Sequence, residues 1–327
     1  MEFIQQPARD VMVMGRANVD LYVADPADSL ENSLRFEKSV GGSAANIAVG
    51  LAKLGRSVDF LSKVSDDQFG DFVSSFLERH GVGTEFLDKD RSGSLTSLAF
   101  AERKKVDSRV LFYRNGASDL MIRIEDIPVD EFARTAVLVC TGTGLSASPS
   151  REATLFAMEA AAAAGTKVVF DLDWRASAWE SVATAGLIYR IAAERSHIIV
   201  GTREEMAVLS GSAPGGDDTS DAEAAGRLLG GMTELVIIKR GVEGSTAYSA
   251  DGASWSAGVF PVEVRKNYGA GDAFAAALLH GLLQGLTPDA AMTWGAGAAG
   301  IVVADTACAE SAPTFDELQR FVASFEE

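Results

Sequence analysis

Short apolar runs recur along the chain, and most end at a glycine or a cluster of small and polar residues. Val11-Met12-Val13-Met14-Gly15 is the first, and its unbroken hydrophobicity suits a strand buried on both faces of a parallel sheet. Val58 to Leu61 repeats the pattern, and Asp66-Asp67-Gln68-Phe69-Gly70 then opens a helix that stops near His80-Gly81. From Val137 onward, strand and helix patterns alternate. Val137 to Cys140, a helix from Ser150 to Ala164, Lys167 to Asp171, a helix through Ile188 and His197 to Val200 follow one another. Leu235 to Ile238 continues the series, and a Lys239-Arg240-Gly241-Val242-Glu243-Gly244 turn leads into strands through Ala247-Tyr248 and Ser254-Trp255. Regular alternation of this kind predicts βαβ units in an α/β fold, a doubly wound and mostly parallel sheet with helices on both faces.

Residues Ser94 to Arg114 depart from that rhythm. Leu95 to Phe100 and Val110 to Tyr113 flank the polar turn Arg103-Lys104-Lys105-Val106-Asp107-Ser108, the pattern of an antiparallel hairpin. With extended stretches at Val19 to Ala24 and Leu34 to Ser39, it predicts a small separate sheet, a lid drawn from about residues 17–40 and 94–115. The chain is then one domain over residues 1–327 with a lid subdomain, a length that α/β folds reach with one sheet and a small appendage. Exposed edges of such a lid suggest pairing into a homodimer.

Two helix starts are led by glycine. Gly41-Gly42-Ser43-Ala44-Ala45-Asn46-Ile47-Ala48 opens a helix ending at Gly55; its small residues permit close approach of a ligand, and Asn46 offers donors and acceptors suited to sugar hydroxyls. Gly269-Ala270-Gly271-Asp272 opens another, apolar on nearly every face through Leu279, which predicts a buried helix. Amides at a helix start lack partners within the helix and lie at its positive end. Gly269 to Gly271 therefore form a candidate anion hole with Asp272 at its rim. Taken alone, Asp272 is equally an ordinary N-cap, and Asp20, just beyond the first strand, is equally an Asx-turn residue.

Composition narrows the partners. Hydrophobic residues make up 47% and charged residues 23%, which are globular proportions. A formal charge of −17 argues against nucleic acid, since no cluster of Lys and Arg is present to follow a phosphate backbone. The alanine-rich tracts are too short to span a bilayer, and the N-terminus has no apolar signal core, so the cytoplasm is the expected compartment. Cys140 and Cys308 have no metal-type spacing, and neither do His80, His197 and His280. Gly295-Ala296-Gly297-Ala298-Ala299-Gly300 fits the GxGxxG dinucleotide pattern, but helical rather than strand-like residues precede it. Close packing of a small-residue helix, with a ligand base as one candidate neighbour, is the better reading. No GxxxxGK[ST] loop is present.

The order of the two glycine-led helix starts, one early and one late, resembles the ribokinase-like PfkB carbohydrate kinases. Gly41 to Ala48 resembles the first family signature, and Lys266-Asn267-Tyr268-Gly269-Ala270-Gly271-Asp272 the second, commonly DTxGAGD. The resemblance covers nearly the whole chain. Segments such as Gly15-Arg16, Asp20-Leu21-Tyr22, Lys63 to Gly70, Asp171-Leu172-Asp173-Trp174-Arg175 and Gly201 to Glu205 are most similar to the bacterial 5-dehydro-2-deoxygluconokinase branch, which serves inositol breakdown. Similar elements occur in 2-keto-3-deoxygluconate kinases. A fructokinase or ribokinase competes with these two, and so does a non-catalytic sensor of sugar acids or nucleotides.

The resemblance implies an ATP-dependent sugar kinase that phosphorylates a primary hydroxyl. Asp20, Gly42 and Asn46 would hold substrate hydroxyls, Lys239, Gly241 and Gly244 would line the ATP site with Gly269 and Gly271, and Asp272 would be the base. Glu205 would serve Mg²⁺, carried mainly on phosphates and waters, and a monovalent cation is a further candidate. Two departures stand out: Lys266-Asn267 replace the usual Asp-Thr, and Thr202 replaces Asn in the Asn-x-x-Glu element that retains Glu205. Independently of the family, Arg16, Lys63, Arg114 and Arg175 lie near predicted strand ends or the lid of an acidic protein, and Asp173 accompanies Arg175. An Arg fork suits a carboxylate, which favours a sugar acid, with Arg114 beside Tyr113 as the leading carboxylate candidate, although any single one of these cations, taken alone, is more readily read as a solvated or salt-bridged surface residue.

Overall fold

The computed structural model describes every residue except 1, 5–6, 26–27, 104–107, 216–218, 267, 306–308 and 326–327. The chain begins with β1 (Arg9–Met14), β2 (Asn18–Val23), β3 (Phe36–Gly41), α1 (Ser43–Lys53), β4 (Val58–Ser65), α2 (Gln68–Arg79) and β5 (Leu87–Asp90). It continues with β6 (Leu98–Ala101), β7 (Val110–Tyr113), α3 (Val129–Phe132), β8 (Thr135–Thr141), α4 (Ser150–Ala163), β9 (Lys167–Asp171) and α5 (Val182–Ala193). Then come β10 (Ile198–Thr202), α6 (Arg203–Ser210), α7 (Asp221–Gly226), β11 (Leu235–Lys239), β12 (Ser245–Ser249) and β13 (Ser254–Ala257). Three helices close the chain: α8 (Ala270–Leu283), α9 (Pro288–Val303) and α10 (Phe315–Ala323).

Among the described residues nine strands form one sheet in the order β13-β12-β11-β10-β9-β8-β1-β4-β5, parallel except where β12 and β13 turn back. The period of two along each strand divides the core. Val11, Val13, Val137 and Val139 point to one side and pack with α1 and α8, while Met12, Met14, Leu138 and Cys140 point to the other and pack with α4 and α5. Burial of one such side chain contributes about 1.5–3 kcal/mol, so a one-residue slip in any central strand would be costly.

The second sheet has the order β3-β2-β6-β7. Its β6–β7 hairpin and the β2 and β3 strands match the expected lid, and part of the connecting turn lies outside the described residues. Phe100 stitches its face together, with Phe36 and Tyr113 edge-on at 5.6 and 5.7 Å.

Cys140 is a buried free thiol, whereas Cys308 lies outside the described residues. Gly295, Gly297 and Gly300 sit inside α9 and let it pack closely on its neighbours: a Cβ at Gly295 would lie 2.8 Å from Phe274 of α8, and one at Gly297 would lie 2.8 Å from Val322 of α10. Among the described residues no helix is long and apolar enough to cross a membrane.

Candidate active site

The ends of β1, β9, β10 and β11 open toward the lid, and the N-termini of α1 and α8 enter the same space. They enclose a cavity of about 540 Å³. Ligands gather at the carboxyl ends of strands in open α/β sheets because the loops there diverge and leave a crevice. Gly269 caps the start of α8 in the left-handed region, φ 83°, a conformation that costs glycine little. Ala273 to Leu282 are then buried without interruption, so α8 runs through the core and its open end is fixed. Gly42 precedes α1 with φ 100°, and a Cβ there would lie 2.4 Å from the carbonyl oxygen of Arg16.

Asp272 is where the two helix starts meet. Ser43 donates its hydroxyl to one carboxylate oxygen at 2.8 Å, and the Asn46 side-chain amide donates to the other at 2.7 Å. Burial raises the pKa of Asp272, Asp173 raises it further, and the two donors work in the opposite direction. A raised carboxylate is a better proton acceptor than one at its ordinary value. Asp171, at the end of β9, is pushed by burial up to about 7, against the pull of Lys239 at 3.8 Å. Burial opposes the charge on Lys239, but Asp171, Glu205 and Asp272 lift its pKa, so it remains an ammonium.

Most sequence-derived candidates converge on this cavity. Arg16, Asp20, Gly42 and Asn46 line one part of it, and Asp173, Arg175, Lys239 and Glu205 line another, with Gly269, Gly271 and Asp272 between. Ala270 supplies the first residue of α8 beside them. The Asp20 carboxylate is fixed by Tyr22, whose hydroxyl donates at 2.6 Å, and by the Asn18 amide; burial raises its pKa. Asp173 takes a left-handed φ of 32° and accepts from Thr143 at 3.1 Å and from Arg175 at 2.8 Å.

Four candidates lie elsewhere. Lys63 is not among the cavity-lining residues; its ammonium pairs with Asp126 and donates to the Met121 carbonyl. Arg114 faces an adjoining cavity of about 240 Å³ and is committed to protein groups: Asp119, the Thr143 carbonyl at 3.0 Å and the Ser146 hydroxyl at 3.2 Å. Gly241 and Gly244 form the tight turn from β11 to β12 outside the larger cavity. Gly244 also answers to packing, since a Cβ there would lie 2.1 Å from the carbonyl oxygen of Ala257 on β13.

The departures from the family pattern have local explanations. Thr202 caps α6 in a reciprocal box: its hydroxyl accepts from the Glu205 amide, and a Glu205 oxygen accepts from the Thr202 amide at 2.7 Å. The other Glu205 oxygen accepts from the Trp174 amide at 3.1 Å. Lys266 is buried against Ser311 and the Tyr268 ring rather than lining the cavity, and Asn267 lies outside the described residues. Sequence reasoning assigned no role to Ser43, Tyr22 or Phe112. Ser43 and Tyr22 lie inside segments singled out for other residues, whereas nothing local marks Phe112, which joins the cavity wall only because the lid folds over it.

An α/β sheet with a lid and a carboxylate at an open helix start is an arrangement that anion binding and phosphoryl transfer can use, and comparison with known proteins makes the class specific. The pfkB family of carbohydrate kinases matches residues 8–315. The chain belongs to that family and is a carbohydrate kinase with the ribokinase-like fold. Among individual relatives it is similar to the 5-dehydro-2-deoxygluconokinase of Photobacterium profundum, at 43% identity over 97% of this chain and 96% of the relative. It is also similar to the 5-dehydro-2-deoxygluconokinase of Shouchella clausii, at 41% identity over 98% of each. The fructokinase of Xylella fastidiosa, solved with bound ATP, shares the fold, with a TM-score of 0.84 at 23% identity over 97% of this chain and 99% of that one.

Proposed function

We propose that this kinase transfers the γ-phosphoryl group of ATP to the primary hydroxyl of 5-dehydro-2-deoxy-D-gluconate, giving the 6-phosphate, with Asp272 as the base. The observation that carries the assignment of Asp272 is its place at the open end of α8, with both oxygens held by Ser43 and Asn46 of α1. That arrangement orients the carboxylate toward the cavity beside the unpaired amides of the first turn. Phosphoryl transfer asks a protein mainly to position the donor and stabilise spread negative charge. The amides of Ala270 and Gly271 and the ammonium of Lys239 serve that end, and Asp272 receives the proton of the attacking hydroxyl. Asp20, on the lid strand β2, and Asn46, on α1, hold substrate hydroxyls. The bound ATP of the fructokinase neighbour supports the choice of donor, and the names of the relatives support the choice of acceptor.

Magnesium fits as an ion brought by the nucleotide. Among the described residues no cluster of three or more His, Cys, Asp or Glu could cage a metal, and both Glu205 oxygens already accept backbone amides. Glu205 and Asp171 face the cavity and would meet such an ion through water. Such an ion would supply positive charge that offsets the negative charge of the phosphates.

The whole chain acts as one catalytic domain in this reading, with residues 17–40 and 94–115 as the lid. Exposed Val110, Leu111 and Tyr113 on the outer strand β7 support pairing of two lids in a homodimer, which sedimentation velocity tests directly. The function is tested by ADP release with 5-dehydro-2-deoxygluconate, 2-keto-3-deoxygluconate, fructose and ribose as acceptors. The first should give the highest kcat/KM; preference for a neutral sugar would overturn the acceptor, and no ADP release with any sugar would favour a sensor.

A further inference from the structure

The carboxylates around Arg16 are already engaged. Asp20 is held by Tyr22 and Asn18, Asp119 by Arg114, and Asp173 by Arg175 and Thr143. Arg16 itself is 5% exposed, and among the described residues its guanidinium has no hydrogen-bond or ion-pair partner. It lies instead against the Phe112 ring of the lid, 5.2 Å from the guanidinium carbon. A buried, unpaired cation is expensive, and guanidinium cannot relieve the cost by giving up its proton. Burial disfavours its charge and Arg114 adds to that, while the charges of Asp173, Asp119 and Asp20 compensate only in part.

The place of Arg16 indicates what would pair with it. It lines the larger cavity, which contains Asp272, and also the adjoining one of about 240 Å³. That second chamber shares Arg16, Phe112 and Arg175 with the first and has Arg114 in its wall. Among the described residues no carboxylate lines it, although Asp119 neutralises Arg114 from behind. A molecule lying across both chambers with a hydroxyl at Asp272 thus presents its far end to a region of positive charge.

We infer that Arg16, rather than Arg114, selects for an acid: held between the two chambers on the Phe112 ring, its fork binds the carboxylate of the sugar acid whose primary hydroxyl lies at Asp272. Arg175, half exposed and tied to Asp173, borders the same carboxylate. This inference rests on the sugar-acid reading above and adds the residue that enforces it. Without an acid bound, the site bears the cost of an unpaired charge; an acid relieves it, and a neutral sugar of the same shape does not. That difference discriminates between acceptors more strongly than added contact area would.

The test uses the full-length enzyme with 5-dehydro-2-deoxygluconate and its primary carboxamide, which keeps the skeleton and removes the charge. Binding is measured by calorimetry without ATP, and kcat/KM by ADP release. Arg16→Met should weaken acid binding and lower kcat/KM for the acid by about 10- to 100-fold, the size of a charge-assisted hydrogen-bonded contact. The carboxamide, which keeps an acceptor oxygen but no charge, should lose clearly less, no more than about 5-fold, and the urea midpoint should be no lower than that of the wild type, because an unpaired buried charge has been removed. Arg16→Lys, which keeps the charge but loses the fork, should lose several-fold for the acid alone, and it answers the question should the Met variant not fold. Equal losses for acid and carboxamide would overturn the assignment of Arg16 while leaving the sugar-acid kinase intact. A wild-type enzyme that ignores both compounds and phosphorylates a neutral sugar would overturn the proposed function, and the role of Arg16 with it.

Discussion

Asn46 and Asp272 stand 226 residues apart in the chain and 2.7 Å apart in space, the amide of one donating to the carboxylate of the other. Each belongs to a helix start led by glycine, and each helix is buried against the same face of the main sheet. Their contact turns two separate loops into one rigid arrangement of acid, donor and helix dipole. Rigidity of this kind matters for a transfer reaction, since a small misplacement of the base costs rate steeply.

Replacement of Asp272 by Asn keeps the shape and removes the proposed proton acceptor. Turnover should fall by at least about 100-fold, the usual contribution of a positioned base, while ATP still binds. ADP release and nucleotide titration measure the two quantities separately, and near-normal turnover would remove Asp272 from the base role.

The acid limb of kcat/KM should lie above the ordinary carboxylate range of about 4, because burial first, and the charge of Asp173 second, raise the pKa of Asp272. The base must be ionised to act, so activity is lost as pH falls through that raised value. Asp173→Asn removes one of the two causes and should move the limb to lower pH in a pH–rate profile. A limb that stays in place would detach Asp173 from the tuning of the base.

Arg114 and Asp119 form a buried pair, and removing one partner leaves the other charged and unpaired. Arg114→Ala should therefore destabilise the fold by about 3–5 kcal/mol, read as a lowered urea midpoint. Arg16→Met, which leaves no carboxylate unpaired, should not show this loss. The two arginines look alike in the sequence, and this contrast separates them.

His280 lies on α8 with Arg56 donating to its Nδ1 at 3.1 Å, an arrangement that needs the neutral ring. Burial, and then the Arg56 charge, lower its pKa to about 4. Between about 6.5 and 4 the unfolded chain takes up a proton there that the folded chain refuses, so stability should fall as pH drops through that window. The contribution is complete above about pH 6.5. His280→Gln should flatten this part of the pH–stability curve relative to the wild type, as measured by thermal melts at matched pH.

Local periodicity made much of this molecule legible from its residues alone. The alternation from β8 to β11 specified the parallel sheet, the β6–β7 hairpin specified the lid, and glycine-led helix starts marked the open end of α8 and Asp272. Those signals are short-range: hydrophobic period, turn chemistry and unpaired helix amides all act within a few residues. Which charges are already spoken for emerged only from tertiary packing. Lys63 and Arg114 resembled Arg16 as cations near strand ends, yet Asp126 and Asp119 claim the first two, and among the described residues no side chain claims the third. Pairing depends on which side chains the sheet and lid bring within about 3 to 4 Å, and electrostatic energy varies steeply over that distance inside a poorly solvated interior. No spacing along the chain encodes it.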